Sequence, residues 1–157
     1  MFVESMTFEE LRREFEKDKA PLVRKAIFHS QHVKKIMRQT KATKLDKYYD
    51  WLSPNKNRWT YRFDVDFSRG KTANFLVSQY CVFYTEKSYA VVTYAVNIDR
   101  LTYFTSHFFT RYFQREHLPV DSIHNIVRTF MIANSTYVAQ PLKLKYENEY
   151  DSFIQMK

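Results

Sequence analysis

The stretch Trp59–Ser68 restricts this chain more than any other. Trp59, Tyr61, Phe63, Val65 and Phe67 alternate there with Thr60, Arg62, Asp64, Asp66 and Ser68. A period of two belongs to a pleated strand, whose side chains point to opposite faces in turn. The alternation predicts one packed face and one wet face, and it rules out an all-helical fold. A strand of this kind needs partners. Phe75 to Thr85 and Tyr89 to Asn97 are β-branched and aromatic runs separated by Glu86-Lys87-Ser88, and Leu101 to Phe104 is a shorter one. Four runs with short connections predict an antiparallel meander. The chain's single glycine, Gly70, falls in Ser68-Arg69-Gly70-Lys71, where a turn with positive φ is expected.

Helical spacing flanks the strands on both sides. Thr7-Phe8-Glu9-Glu10 fits a capping box, and Phe8, Leu11 and Phe15 then predict a helix from about Phe8 to Asp18. Pro21 suits the first turn of a second helix. Leu22, Val23, Ala26, Ile27, Val33, Ile36 and Met37 would form its apolar stripe, interrupted at Ser30-Gln31. The two read as a hairpin. Leu45–Leu52 reads as a short helix closed by Ser53-Pro54-Asn55. Downstream, Thr105–Arg115 is one helix, and Leu118-Pro119-Val120-Asp121 breaks the pattern. Ile123, Ile126, Val127, Phe130 and Met131 mark another helix, with Asp121 as its N-cap. The tail alternates at Leu142, Leu144 and Tyr146 and reads as an incomplete strand pair, with residues 135–157 expected to be poorly ordered. At 157 residues the chain is expected to be one domain, 1–157. The fold class is α+β: an N-terminal helical hairpin, a four-stranded antiparallel sheet, and two C-terminal helices packed on one face.

Charge narrows the partner. The net charge is +8, from 25 Lys and Arg against 17 Asp and Glu. Eight of those bases (Lys19, Arg24, Lys25, Lys34, Lys35, Arg38, Lys41 and Lys44) fall between Lys19 and Lys44 without one acid. Setting them aside leaves 17 basic residues against 17 acidic ones, so this segment carries the whole excess. A concentrated positive field attracts polyanions. The plain alternative is a solvated helix face that keeps the chain dispersed.

Other classes fall away. One cysteine, Cys81, excludes a disulfide framework and a cysteine zinc cluster, and its apolar strand makes it a buried small hydrophobe rather than a nucleophile. No run approaches the ~20 apolar residues of a membrane span. The N-terminus lacks the basic and apolar regions of a signal peptide, so a cytoplasmic location is expected. His29 and His32 are three apart, yet no third ligand lies nearby, so no metal site is expected. A single glycine argues against a phosphate-cradling loop, and no cofactor motif is present.

One constellation has chemical direction. On a helix, His107, Arg111 and Arg115 fall within roughly 80° of arc, opposite Phe108, Phe109, Tyr112 and Phe113. Two like charges four apart repel unless an anion sits between them. Metal-independent RNA cleavage needs a proton-handling group and cations for the charge that builds on phosphorus. Histidine titrates in the useful range, and arginine presents paired donors to phosphate. A second acid–base group is open among His117, His124 and Tyr112. The plain reading is an exposed helix face whose arginines pair with Asp99 or Asp121.

The run His107-x3-Arg111-x3-Arg115, followed by a break and an amphipathic helix, resembles a pattern in small bacterial and phage domains. Those are grouped with the barnase, EndoU, colicin and RelE-type ribonuclease toxins. The resemblance spans about Leu101 to Asn134. It implies that His107, Arg111 and Arg115 are catalytic or RNA-contacting positions. The chain thus reads as a binder of RNA or DNA, with Arg24, Lys25, Lys34, Lys35 and Arg38 as a nucleic-acid track. A metal-independent, toxin-like ribonuclease is its catalytic form. The alternative is a non-catalytic module of a mobile element or phage that meets a protein partner or a second copy of itself.

Overall fold

The computed structural model describes residues 1–3, 5–68, 74–85, 88–96, 99–117, 122–134, 138–143 and 150–155. Helix α1 (Phe8–Thr40) leads into strands β1 (Lys44–Leu52), β2 (Arg58–Asp66), β3 (Asn74–Tyr84), β4 (Tyr89–Ala95) and β5 (Arg100–Thr105). Helices α2 (Ser106–Glu116) and α3 (Ile123–Ala133) follow, then a separate hairpin of β6 (Val138–Lys143) and β7 (Tyr150–Gln155). The fold is α+β, and the five-stranded sheet is a meander in the order β1-β2-β3-β4-β5 with every neighbouring pair antiparallel.

The expected helical hairpin is instead one helix of 33 residues with Pro21 inside it. The capping box is present as read: Thr7 accepts from the Glu10 N–H, and the Glu10 carboxylate accepts from the Thr7 N–H at 2.8 Å. An interior proline loses a hydrogen bond and crowds the preceding turn, at about 3 kcal/mol. What offsets this is one unbroken stripe. Leu11, Phe15, Asp18, Leu22, Ala26, His29, Val33 and Met37 are all buried, at steps of three and four that run straight through the proline. Ile27 does not belong to that stripe and is 55% exposed, contrary to the sequence reading.

The expected short helix at Leu45–Leu52 is strand β1. All nine of its residues pair with β2, from Lys44 opposite Asp66 to Leu52 opposite Arg58. Tyr48, Tyr49 and Trp51 suit a pleated surface, and this strand makes the sheet five-stranded rather than four-stranded. The turn around Gly70 lies outside the described residues.

Two cores lie on the two faces of the sheet. Side chains of α1 (Leu11, Phe15, Leu22, Val33) meet Trp59, Tyr61, Phe63 and Val65 of β2, with Cys81 and Val92 beyond. Tyr80, Val91 and Phe104 point the other way, into Phe109, Phe113, Val127 and Phe130 of α2 and α3. The helices therefore sandwich the sheet, with α2 and α3 sharing one face as expected. The wet face expected for β2 keeps Asp64 and Asp66 half-buried but is closed over at Thr60 and Arg62, Arg62 being only 3% exposed. Its Nε donates to Asp46 at 3.1 Å and its Nη2 to Asp64 at 3.0 Å, so two strand neighbours supply the carboxylates. Cover from α3 extends to the same region, where the Arg128 guanidinium lies 4.0 Å over the ring of Tyr48, the cross-strand partner of Arg62.

Candidate nucleic-acid interface

Helix α2 begins without a loop. Thr105 is both the last residue of β5 and the N-cap, its hydroxyl accepting from the Phe108 N–H at 3.3 Å. Phe109, Tyr112 and Phe113 are buried, and this fixes the rotation of the helix. His107, Arg111 and Arg115 are consequently all exposed on its outer side. Residues at i and i+4 stand roughly 6 Å apart at Cβ, so the three line one ridge. None of them forms an ion pair among the described residues. Asp99, one partner offered by the plain reading, is engaged by Lys19 at 2.7 Å and by the Tyr94 hydroxyl at 2.8 Å. Asp121, the other, lies outside the described residues.

The second acid–base group is narrowed. Tyr112 is 5% exposed, and its hydroxyl accepts from Asn134 Nδ2 at 3.4 Å inside the second core. His117 forms the left-handed C-cap of α2, and His124 is exposed in the first turn of α3. The N-cap of α3 is Ser122 rather than Asp121, its hydroxyl taking the Asn125 N–H at 3.3 Å. All three side chains of the ridge stand open to solvent. Two shallow depressions, of about 380 and 270 Å³, lie elsewhere, around Glu10 and Arg13 and around Arg12 and Asp99.

The five residues expected to track nucleic acid all lie on α1. At about 100° per residue, Arg24, Lys35 and Arg38 share a 60° arc directly opposite the buried stripe. All three are exposed. Lys25 and Lys34 flank this crest on either side. The Lys25 ammonium sits 4.8 Å over the Phe28 ring, and that of Lys34 sits 5.5 Å over Phe75. The ends of the acid-free segment are tied to acids from other elements, Lys19 to Asp99 and Lys44 to Asp66 at 3.2 Å. Between those ends, Arg24, Lys25, Lys34, Lys35, Arg38 and Lys41 have no carboxylate partner among the described residues.

The two sets do not meet, because α1 and α2 cover opposite faces of the sheet. The two histidines of α1 separate as well. His29 is buried and stacked on Tyr49 at 4.3 Å between centroids, whereas His32 is exposed. Among the described residues no group of three His, Cys, Asp or Glu could hold a metal ion, and no helix is long and apolar enough to cross a membrane. Cys81 is buried, and burial pushes its thiol up to about 12. The sequence reading missed Phe28, which is 58% exposed in the middle of the basic crest. Its signal was an aromatic out of phase with the apolar stripe. Comparison with protein-family models, with curated proteins and with solved structures finds no match.

Proposed function

We propose that this protein binds nucleic acid through the outer face of α1. The observation that carries the reading is the crest of Arg24, Lys35 and Arg38, exposed on one side and without carboxylate partners among the described residues. Like charges held on one ridge repel one another, and a phosphate chain relieves that repulsion while releasing its counterions. From Arg24 to Arg38 the helix rises about 21 Å, long enough to meet several phosphates of one nucleic-acid backbone. The contacts are to phosphate, so binding is strong at low salt and carries little sequence information.

A second reading concerns chemistry, and the exposed trio on α2 favours it. His107 handles the proton of a 2′-hydroxyl while Arg111 and Arg115 hold the phosphate, as in a metal-independent ribonuclease. One experiment addresses both. Labelled RNA is titrated with wild type, with Arg24→Ala/Lys35→Ala/Arg38→Ala and with His107→Ala, at 50 to 200 mM salt in EDTA. The triple variant should lose affinity and flatten the salt dependence by roughly one unit of slope per cation removed. Cleavage by wild type that His107→Ala abolishes supports the ribonuclease. Binding without cleavage leaves a binding module, and no binding at 50 mM salt removes the nucleic-acid reading in favour of a protein partner.

A further inference from the structure

The crest of α1 is not purely basic. Ile27 and Phe28 are exposed at 55% and 58% in its middle, between Arg24 and Lys35. An apolar side chain pointing at water lends nothing to the core, and the buried stripe of α1 is complete without either residue. Phe28 is also held in place. The Lys25 ammonium lies over its ring at 4.8 Å, and the His29 ring meets it in a T-shaped contact at 5.5 Å between centroids. Gln31 and His32, one turn further on, are exposed on the same side.

Resting on the nucleic-acid reading above, we infer that the α1 crest is a platform for single-stranded nucleic acid, with Phe28 as the stacking residue. A base has an aromatic face to offer only when it is free of its neighbours. In a duplex those faces are already stacked, and wedging a side chain between them costs a few kcal/mol per step. A single strand presents them without that penalty, and aromatic stacking beside cations is how such strands are held irrespective of sequence. Charge complementarity selects a polyanion, and the ring at the centre of the charge selects its single-stranded form. Arg24 and Lys35, one turn before Phe28 and two turns after it, take the phosphates on either side of the stacked base. Gln31 adds an amide that can meet a base edge.

The test is fluorescence anisotropy with a labelled 12-nucleotide RNA, the same strand annealed to its complement, and vesicles of phosphatidylcholine with one-third phosphatidylserine. Wild type, Phe28→Ala, Phe28→Leu, Phe28→Trp and Lys35→Ala are compared. Phe28 is exposed, so its variants fold. Phe28→Ala should weaken single-strand binding about tenfold and leave duplex binding and the salt slope unchanged. Phe28→Leu should fare no better, and Phe28→Trp should restore or tighten binding. Lys35→Ala should weaken both nucleic acids alike. Equal affinity for strand and duplex, with no effect of Phe28→Ala on either, overturns this inference and leaves nucleic-acid binding standing. Failure to bind either nucleic acid at low salt overturns both. Vesicle binding lost in Phe28→Ala, with no RNA binding, reassigns the crest to an anionic lipid surface.

Discussion

Asp18 has no exposure to water, and four donors converge on it. They are Ser53 Oγ at 2.8 Å, Asn55 Nδ2 at 2.8 Å, Asn57 Nδ2 at 2.7 Å and Trp59 Nε1 at 3.2 Å. One carboxyl on α1 thus fixes the whole β1–β2 connection against the helix. Asp18→Ala strands several donors in a dry site, each worth about 1–3 kcal/mol when unsatisfied. Its urea midpoint should fall by an amount equivalent to about 3 kcal/mol or more, and a change below 1 kcal/mol would contradict the arrangement. His29 makes a different statement. Burial holds its imidazole below the ordinary histidine value, with Lys25 and His32 acting in the same direction. Tyr49, Tyr61 and Phe63 face it from the sheet and supply no carboxylate. The folded state therefore binds this proton less readily than the unfolded chain does. Stability from this source is complete above the unfolded value of about 6.5. It declines as pH drops from there toward the depressed folded value. Urea midpoints should be lower at pH 5.5 than at pH 7.5, and His29→Leu should remove much of the difference.

At the scale of elements, Pro21 separates a continuous helix from a hairpin. In a hairpin the ring would sit in the first turn of a second helix, where it does no harm. Inside a single helix it removes the N–H that would donate to the Lys17 carbonyl, so Pro21→Ala should raise stability by about 1–3 kcal/mol, reduced by the ~0.4–1 kcal/mol of chain freedom the proline restricts in the unfolded state. Chemical denaturation decides between the two. The residues explain why the sequence misled here. A proline ordinarily punctuates a helix, yet the buried positions from Leu11 to Met37 keep step across this one. Strand β1 was illegible for another reason. Leu45, Tyr49 and Trp51 share its packed face with Lys47 among them, and the other face alternates Asp46, Tyr48 and Asp50, so neither is uniformly apolar. Only pairing with β2 decides its form. The alternation of β2 announces a strand and a packed side correctly, but cannot show that Asp46, Asp64 and the Tyr48–Arg128 pair would close over Arg62 on the polar side. The capping box, α2, α3 and the exposed His–Arg ridge were all legible, because each depends on local spacing alone.

For the molecule as a whole, the sandwich separates two cationic surfaces by the thickness of a sheet. Substitutions at distant sites add when they share no partners. Losses of RNA affinity from Arg24→Ala/Lys35→Ala and from Arg111→Ala/Arg115→Ala should therefore sum to within about 0.5 kcal/mol in the combined variant. A coupling above 1 kcal/mol would mean that one RNA strand wraps the edge of the sheet and touches both faces. This relation was beyond the sequence, which puts residues 41–105 between α1 and α2 and says nothing of which side each takes. The absence of any linker where β5 becomes α2 has a final consequence. Thr105 serves strand and helix at once, so the backbone beneath His107 has no hinge about which to swing. If the ridge takes a phosphate as proposed, the mount is already set, and the on-rate should follow collision frequency and ionic strength rather than a gating motion.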